Sequence, residues 1–347
     1  MNFLRNTWYA ALWDRDVPAD RPVGRVIAGE RIAFWRKRDG TVVAIADSCP
    51  HRRAPLSLGA IEGDGLMCRY HGLAFAENGR CIANPYGPLL DGLNVAHFPV
   101  ALRDGMIWAW TGEPERADPA LIPDVLAFTR GIADTACIWG YIHARAGHKL
   151  FEDNILDPGH GEFLHPVLGS AGMTKHKRLV EETGNGGLKL TILQPAGDMP
   201  DFFRPGLPDM EGLAETWIES IWNPNGAMVI RVGATPAGRP REEGADSWTA
   251  HIFTPETETT THYLYASGRS FIPDDAAFNE AVREVLRVAF TEEDLPMIEG
   301  QQAVLGDQDL METTPQLFSV DRASVMARRM FDRMLEEEAQ ERLLSAA

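Results

Sequence analysis

Two loops decide how this chain is built: Cys49-Pro50-His51-Arg52-Arg53-Ala54-Pro55-Leu56 and Cys68-Arg69-Tyr70-His71-Gly72-Leu73. Each loop supplies one thiol and one imidazole, and sixteen residues separate His51 from Cys68. Thiolates and imidazoles are strong ligands for iron and zinc. The pattern therefore predicts a metal centre that both loops hold together, with the ligands Cys49, His51, Cys68 and His71.

The residues by themselves leave two kinds of metal centre open. Two thiolates and two imidazoles can hold a [2Fe–2S] cluster, with both cysteines on one iron and both histidines on the other. The same four side chains could instead converge on one zinc ion. A Cys-x-His pair is unlike zinc-finger spacing, which favours the cluster. The two other cysteines, Cys81 and Cys137, lie outside the pattern and are predicted to be ordinary buried thiols.

Composition limits what the protein can bind. The formal net charge of −17 argues against nucleic acid and anionic membranes, because no basic face is offered to phosphates. No apolar run approaches the length of a membrane span, and the N-terminus lacks the features of a signal peptide. Four scattered cysteines are too few for a disulfide scaffold. We therefore expect a cytoplasmic protein with reduced thiols.

The chain is expected to form two domains. Around the two Cys-His loops, the pairs Asp39-Gly40, Asn78-Gly79 and Asp104-Gly105 are typical of type I′ hairpins, which predicts an all-β module. It should end near Pro114, so we assign residues 1–115 to the first domain and 116–347 to the second.

The second domain is expected to combine a sheet with helices. Five segments have the composition of consecutive, antiparallel strands: 188–193, 216–222, 227–233, 248–254 and 259–266. Two helices should follow, one that begins after Ile272-Pro273-Asp274 and runs to about Gln302, and one over roughly 321–344. The predicted fold class is α+β: an all-β N-terminal domain, then an antiparallel sheet with C-terminal helices in a helix-grip-like arrangement.

A second group of ligand-type residues lies in Asp157-Pro158-Gly159-His160-Gly161-Glu162-Phe163-Leu164-His165. On an ideal helix, residues five apart are separated by about 140°, so His160 and His165 could not share an ion. Pro158 and the neighbouring glycines make the segment irregular enough to bring them together. Two histidines and one carboxylate on one face are the ligand set of non-haem iron sites that activate O2.

The third ligand must come from elsewhere in the chain. An apolar stripe at spacing four runs through Leu286, Phe290, Asp294 and Ile298. Asp294 interrupts it, and a metal ion would compensate a carboxylate that is costly to bury there. Pro296 should break the hydrogen-bond ladder and bend the helix nearby. An exposed acid in an acidic patch is the alternative interpretation of Asp294. Other acids lie off the stripe or in a following loop: Glu292, Glu293, Asp307 and Asp309.

Both groups together resemble the Rieske non-haem iron oxygenases, namely the oxygenase components of vanillate O-demethylase and dicamba monooxygenase. The similarity runs from Asn6-Thr7-Trp8-Tyr9 to Thr254-Pro255-Glu256-Thr257-Glu258 and includes Glu293-Asp294-Leu295-Pro296. Respiratory Rieske proteins are a poorer match, because they carry a membrane anchor and an extra cysteine pair. The resemblance implies a Rieske [2Fe–2S] cluster in the first domain. It also implies a mononuclear Fe(II) held by His160, His165 and Asp294.

The resemblance further implies how electrons would travel. A bridging aspartate of the family matches Asp157, which would hydrogen-bond His160 in its own subunit and His71 in the next subunit of a head-to-tail homotrimer. Asn154 matches a residue close to the iron. Each turnover needs two electrons, and the chain has no Gly-x-Gly-x-x-Gly stretch that would bind a nicotinamide or flavin. A separate NAD(P)H-dependent reductase, of the FMN/ferredoxin type in this family, is therefore expected.

The expected reaction is O-demethylation of a small methoxybenzoate- or vanillate-like aromatic substrate by O2, with release of formaldehyde. Ring hydroxylation or N- or S-linked demethylation by the same iron is the alternative, followed by a non-catalytic Rieske electron carrier. His251 matches a family position that can contact a substrate carboxylate, and Arg231 could do the same if its strand faces inward. Ile230 stands where the dicamba enzyme has a polar substrate contact, which argues against dicamba itself.

Overall fold

The structure is a computed structural model that describes residues 2–168 and 173–345. They belong to two compact units. One consists of Met1–Pro123 with Thr254–Thr257, and the other of Asp124–Phe253 with Glu258–Ala347. In the described residues, no helix combines the length and the apolar character needed to span a membrane.

The first unit is built from short antiparallel strands in three sheets. The strands are β1 Trp8–Trp13, β2 Val23–Ile27, β3 Glu30–Arg36, β4 Val42–Ala46, β5 Ala60–Glu62, β6 Gly65–Met67, β7 Ala74–Phe75, β8 Cys81–Ala83, β9 His97–Phe98, β10 Val100–Arg103 and β11 Met106–Trp110. Their orders are β1-β11-β10, β2-β3-β4-β9 and β5-β6-β7-β8. The prediction of an all-β N-terminal domain is confirmed.

The three predicted hairpins are present, but only one has the predicted turn type. Asp104 and Gly105, between β10 and β11, both have positive φ, at 51° and 72°, as a type I′ turn requires. In the other two turns only the glycine does, with Gly40 at 88° and Gly79 at 78°. Their loops are longer, since Lys37 N–H bonds to Thr41 O and Ala76 N–H to Arg80 O. A longer loop needs a single residue in the left-handed region.

The second unit contains one antiparallel sheet of seven strands. The strands are β12 Ile138–Ala144, β13 Lys177–Glu182, β14 Leu188–Gly197, β15 Ala214–Trp222, β16 Ala227–Pro236, β17 Ala245–Thr257 and β18 Thr260–Arg269. Their order is β12-β18-β17-β16-β15-β14-β13. All five predicted strands are present, and each continues past at least one of its predicted ends. The predicted antiparallel sheet is therefore confirmed.

The helices of this unit are α1 His148–Leu156, α2 Gly161–Leu164, α3 Ala276–Val288, α4 Leu295–Leu305 and α5 Arg322–Ser345. Helix α1 and the turn that follows α3 contact the same face of the sheet, which we call the helix-facing side. Trp222 Nε1 on β15 donates to Glu152 Oε2 on α1 at 2.7 Å. The ring of Phe290, which follows α3, lies 5.3 Å from the ring of His251 on β17. Side chains on this side of the sheet therefore face the helices that hold the second group of ligand-type residues.

The helix between Ala276 and Leu305 contains a π-helical turn over Ala289–Asp294. Pro296 was expected to disturb this region, and the disturbance lies in the turn just before it. A proline has no N–H to donate to the preceding turn, and π turns inside helices are frequent at functional sites. Asp294 closes the wide turn, so its carboxylate points to the buried side with Phe290 and Ile298.

Candidate metal centres

The two Cys-His loops of the first unit have matching backbones. Cys49 N–H donates to Ala54 O at 2.9 Å and its carbonyl accepts from Arg53 N–H at 2.8 Å; Cys68 makes the same pair with Leu73 and Gly72 at 2.8 and 2.9 Å. The fourth residue after each cysteine is left-handed, with φ of 58° at Arg53 and 78° at Gly72. Two equivalent turns thus present one thiol and one imidazole each.

The four predicted ligands divide into two buried thiols and two more exposed imidazoles, with His51 exposed and His71 half-buried. Cys49 and Cys68 are both 2% exposed and belong to a hydrophobic cluster with Trp35 and Phe75. His51 is exposed, and the rings of His51 and His71 lie 4.4 Å apart. Burial raises the pKa of the Cys49 thiol, so the thiolate needs a bound cation. Two buried sulfurs and two more exposed imidazoles fit the donor set of a [2Fe–2S] cluster, which Cys49, Cys68, His51 and His71 would hold.

The second group of residues converges at one point of the second unit. His160 Nε2 and His165 Nε2 are 3.2 Å apart, and they lie 3.5 and 3.3 Å from Asp294 Oδ1. Ligand atoms about 2.1 Å from one ion lie roughly 3.0–3.4 Å apart for bond angles of about 90–109°. Among the described residues, His160, His165 and Asp294 thus bring three ligand atoms close enough to hold a single ion.

The imidazoles of His160 and His165 each make a hydrogen bond through Nδ1. These bonds orient the two Nε2 atoms towards each other and towards Asp294. His160 Nδ1 lies 2.6 Å from the Asp157 carbonyl, and His165 Nδ1 lies 2.7 Å from Glu293 Oε2. Since both acceptors need a proton from Nδ1, both Nε2 atoms present lone pairs to each other and to a carboxylate. Such an arrangement is repulsive without a cation between the three atoms. The residues therefore fit a divalent metal ion.

Charge around His165 supports the same conclusion. Burial lowers the pKa of His165, but hydrogen bonds and charges from Asp294 and Glu293 outweigh it, and the pKa is raised. The two carboxylates thus favour a positive charge at this place, which a metal ion bound to the neutral imidazoles would supply. Glu293 was set aside in the sequence because it lies one position off the apolar stripe. The widened π turn brings it to the site, and helical spacing could not have indicated this.

Asp157 makes other contacts than expected. His160 bonds to the main-chain carbonyl of Asp157, whereas the carboxylate accepts from Arg178 at 3.2 Å and from Gly159 N–H at 3.1 Å. The side chain is therefore not used to orient the imidazole. No local sequence pattern indicates that Arg178 on β13 contacts Asp157. Asn154 lies beside Asp294, since its Nδ2 donates to Asp294 Oδ1 at 3.1 Å.

The three candidate substrate contacts do not share one face of the sheet. His251 pairs with Met228 across β16 and β17, Ile230 with Thr249, and Arg231 with Trp248. Because side chains alternate along a strand, Ile230 shares the helix-facing side with His251, and Arg231 faces the other way. Its guanidinium bonds to Asp246 at 2.8 and 3.0 Å. Arg231 could contact a substrate only if its side chain faced inward, and it faces the other side of the sheet.

The two zones of the chain match known protein families. A model of the Rieske [2Fe–2S] domain matches residues 7–98, and a model of the vanillate O-demethylase oxygenase C-terminal domain matches residues 144–337. The oxygenase component of dicamba O-demethylase from Stenotrophomonas maltophilia is 34% identical over 98% of this chain and 100% of its own. The vanillate O-demethylase oxygenase subunit from Pseudomonas sp. strain HR199 is 34% identical over 99% of each chain.

Solved structures agree with these relatives. Crystal structures of dicamba monooxygenase, one bound to 3,6-dichlorosalicylic acid and one with non-haem iron and dicamba, match with TM-scores of 0.87 and 0.78. Both are 32% identical and cover 98% of this chain and 99% and 100% of their own.

Proposed function

The chain belongs to the Rieske non-haem iron oxygenases of the vanillate O-demethylase type, and from this premise we propose that it O-demethylates a small aromatic methyl ether. The protein is an oxygenase component that carries a Rieske [2Fe–2S] cluster and a mononuclear non-haem iron. The observation that carries the proposal is the convergence of His160, His165 and Asp294 beside a neutral, aromatic-lined face of the sheet.

An aryl methyl ether, O2, two electrons and two protons yield an aryl hemiacetal and water, and the hemiacetal collapses to a phenol and formaldehyde. When bound, the cluster and the ferrous ion supply the electrons and the O2 activation. The protein's own groups position the ether and exclude bulk water. Phe290 and Tyr263 pack against His251 on the sheet side with ring centroids 5.3 and 5.9 Å away, and His251 is 3% exposed.

Each of the three side chains that could bind the metal ion, His160, His165 and Asp294, is held by a hydrogen bond of its own. Glu293 holds the proton on His165 Nδ1, the Asp157 carbonyl holds the proton on His160 Nδ1, and Asn154 fixes one oxygen of Asp294. These bonds hold the three ligand atoms close together, where they would bind a ferrous ion that supplies O2 activation.

We further propose that electrons reach this site between subunits of a homotrimer, and that a separate NAD(P)H-dependent reductase of the FMN/ferredoxin type loads the cluster in the cytoplasm. Two observations support electron transfer between subunits, because they place both ends of the path at exposed positions. The Asp157 carboxylate is 26% exposed and lines a cleft of about 510 Å³ that also includes His160. In the other unit, His51 is exposed and His71 is half-buried. We retain residues 1–115 and 116–347 as the Rieske and catalytic domains.

A substrate panel tests the proposed function. Purified protein would be loaded with iron, supplied with NADH and a surrogate ferredoxin and reductase, and offered aryl methyl ethers, N-methyl anilines and thioethers. We expect formaldehyde and the matching phenol in equal amounts, coupled to O2 consumption. A cis-diol, or a ring-hydroxylated product that keeps the methyl group, would contradict O-demethylation. The His160→Ala variant is the control, because it should keep the cluster's visible spectrum and produce no formaldehyde.

A further inference from the structure

An arginine at the edge of the seven-stranded sheet holds the acid that precedes the first metal-binding histidine. Strand β13 is the last strand in the order of this sheet. Its Arg178 pairs with Ile192 on β14, on the side of the sheet that faces helix α1. There, Arg178 Nη1 donates to Asp157 Oδ1 at 3.2 Å, and the two side chains are 11% and 26% exposed. The pair is therefore largely shielded from water on the arginine side.

The two oxygens of the Asp157 carboxylate have different surroundings. Oδ1 accepts hydrogen bonds from Arg178 Nη1 and from Gly159 N–H, at 3.2 and 3.1 Å. Oδ2 makes no hydrogen bond to the residues that the structure describes. The Asp157 side chain lines the same cleft as His160. The carboxylate is thus fixed through one oxygen and can accept a further hydrogen bond through the other.

The absence of a side chain at Gly159 leaves room for this pair. A Cβ atom at this position would lie 2.8 Å from Arg178 Nη2 and 2.9 Å from Asp157 Oδ1. Both distances are below 3.0 Å, which Cβ atoms essentially never show. Any other residue here would push the guanidinium and the carboxylate apart. Asp157, Gly159 and Arg178 therefore depend on one another, and we call these three residues the Asp157 clamp.

Stability alone does not explain where Arg178 is placed. Its Nε and Nη2 atoms are buried, and neither has a hydrogen-bond partner among the described residues, 2–168 and 173–345. Buried donors without partners are unfavourable, and each calls for an explanation. Arg328 on α5 shows the contrast, because all three of its nitrogens bond to the carboxylates of Asp153 and Asp309. What Arg178 provides at its position is the hydrogen bond to Asp157.

We infer, on the basis of the proposed electron transfer between subunits, that Arg178 is a positioning residue, which holds Asp157 so that Oδ2 can accept a hydrogen bond from His71 of the partner subunit. The main-chain carbonyl of Asp157 already bonds to His160 Nδ1 at 2.6 Å, so the side chain is not needed there. Without Arg178, the carboxylate would rotate among its staggered rotamers and present Oδ2 less often.

Infrared difference spectra test this contact without turnover. The sample is protein that carries the cluster but no mononuclear iron, and the spectrum of the oxidised form is subtracted from that of the reduced form. A carboxylate that is hydrogen-bonded to a ligand of the cluster should shift its stretching band on reduction, and Asp157→Asn identifies that band. We expect Arg178→Met to abolish the shift and Arg178→Lys, which keeps a cation, to restore it. An unchanged band in Arg178→Met would overturn the inference.

The rate of electron transfer is the second measurement. Fully reduced, iron-loaded protein with a bound aryl methyl ether is mixed with O2, and the visible absorption of the oxidised cluster is followed as it returns. Arg178→Met should slow this phase about tenfold, while iron content and cluster reduction by dithionite stay unchanged. Lys177→Met is the matched control, because Lys177 is the exposed neighbouring cation and makes no ion pair within the described ranges. Equal slowing in both variants would overturn a specific role of Arg178.

The glycine of the Asp157 clamp allows a double-variant test. Gly159→Ala should force Arg178 and Asp157 apart and slow the transfer, measured per bound iron, as Arg178→Met does. The variant with both changes should be no slower than either single variant, because the same contact is lost in each. Additive losses would show that the two residues act independently and would contradict the clamp.

These outcomes are separable from those of the proposed function. If Asp157→Asn changes neither the infrared band nor the rate, the path through Asp157 is wrong and the role of Arg178 is overturned with it. If Asp157→Asn changes both and Arg178→Met changes neither, only the role of Arg178 is overturned. Formaldehyde release in the substrate panel decides O-demethylation independently of either result.

Discussion

Replacing Glu293 should weaken the binding of the mononuclear iron while the Rieske cluster stays intact. Glu293 Oε2 lies 2.7 Å from His165 Nδ1, and the two side chains are 22% and 9% exposed. A hydrogen bond to a charged group contributes about 1.5–3 kcal/mol, against about 1 kcal/mol for a neutral one. Glu293→Gln keeps an acceptor but loses the charge, so we expect a loss of about 1 kcal/mol, or roughly fivefold in iron affinity. Glu293→Ala removes the acceptor and should cost about 30- to 100-fold.

The assay is a competition between the protein and a ferrous chelator under anaerobic conditions. The visible spectrum of the cluster serves as an internal measure of folding. Glu292→Ala is a matched control, because Glu292 is 57% exposed and pairs with Arg287 on the surface. Its iron affinity should equal that of the wild type. The reasoning is refuted if Glu293→Ala retains wild-type affinity, or if Glu292→Ala loses as much.

Four further predictions concern other parts of the molecule. Burial raises the pKa of Glu152 from 4.5 to about 8, so between these pH values the folded state keeps a proton that the unfolded chain releases. Stability should therefore fall as pH rises through this range. In the Glu152→Gln variant, Tm should fall less steeply with rising pH. Gly72→Ala should destabilise the cluster loop by about 1–2 kcal/mol, seen as faster bleaching on heating, whereas Arg53→Ala, at the equivalent left-handed position, should not. Arg231→Met should lower the free energy of unfolding by about 1 kcal/mol with KM unchanged; a raised KM would contradict its outward position. Asp157→Asn should leave both metals bound yet slow turnover about 100-fold, and wild-type rates would exclude a role in electron transfer.

The spacing of residues over short stretches of sequence was enough to predict much of this structure. The Cys-x-His and Cys-x-x-His loops, five of the seven strands of the second unit and the helix that ends near Leu305 follow from patterns over a few residues. Hairpin positions were also evident, since Gly40, Gly79 and Gly105 mark them. The type of turn was not evident from the sequence, because it depends on the length of the loop. The length of the loop depends on where the pairing of the two strands stops.

The site needed more than local pattern. Asp294 was identified because it interrupts an apolar stripe, but Glu293 one residue earlier was dismissed by the same helical spacing. The π turn over Ala289–Asp294 alters that spacing, and an ideal helix cannot anticipate it. Arg178 lies 21 residues from Asp157 in sequence and meets it through the packing of β13. No periodicity links two such residues.

The sequence by itself determined the family, the fold class and the identities of the residues that can bind metal, because these depend on residue type and short spacing. Tertiary structure alone decided which way each side chain faces. Ile230 and Arg231 are neighbours with opposite roles, since a shift of one residue along a strand moves a side chain to the other side of the sheet. That alternation placed an aliphatic residue beside His251 and directed the arginine to Asp246.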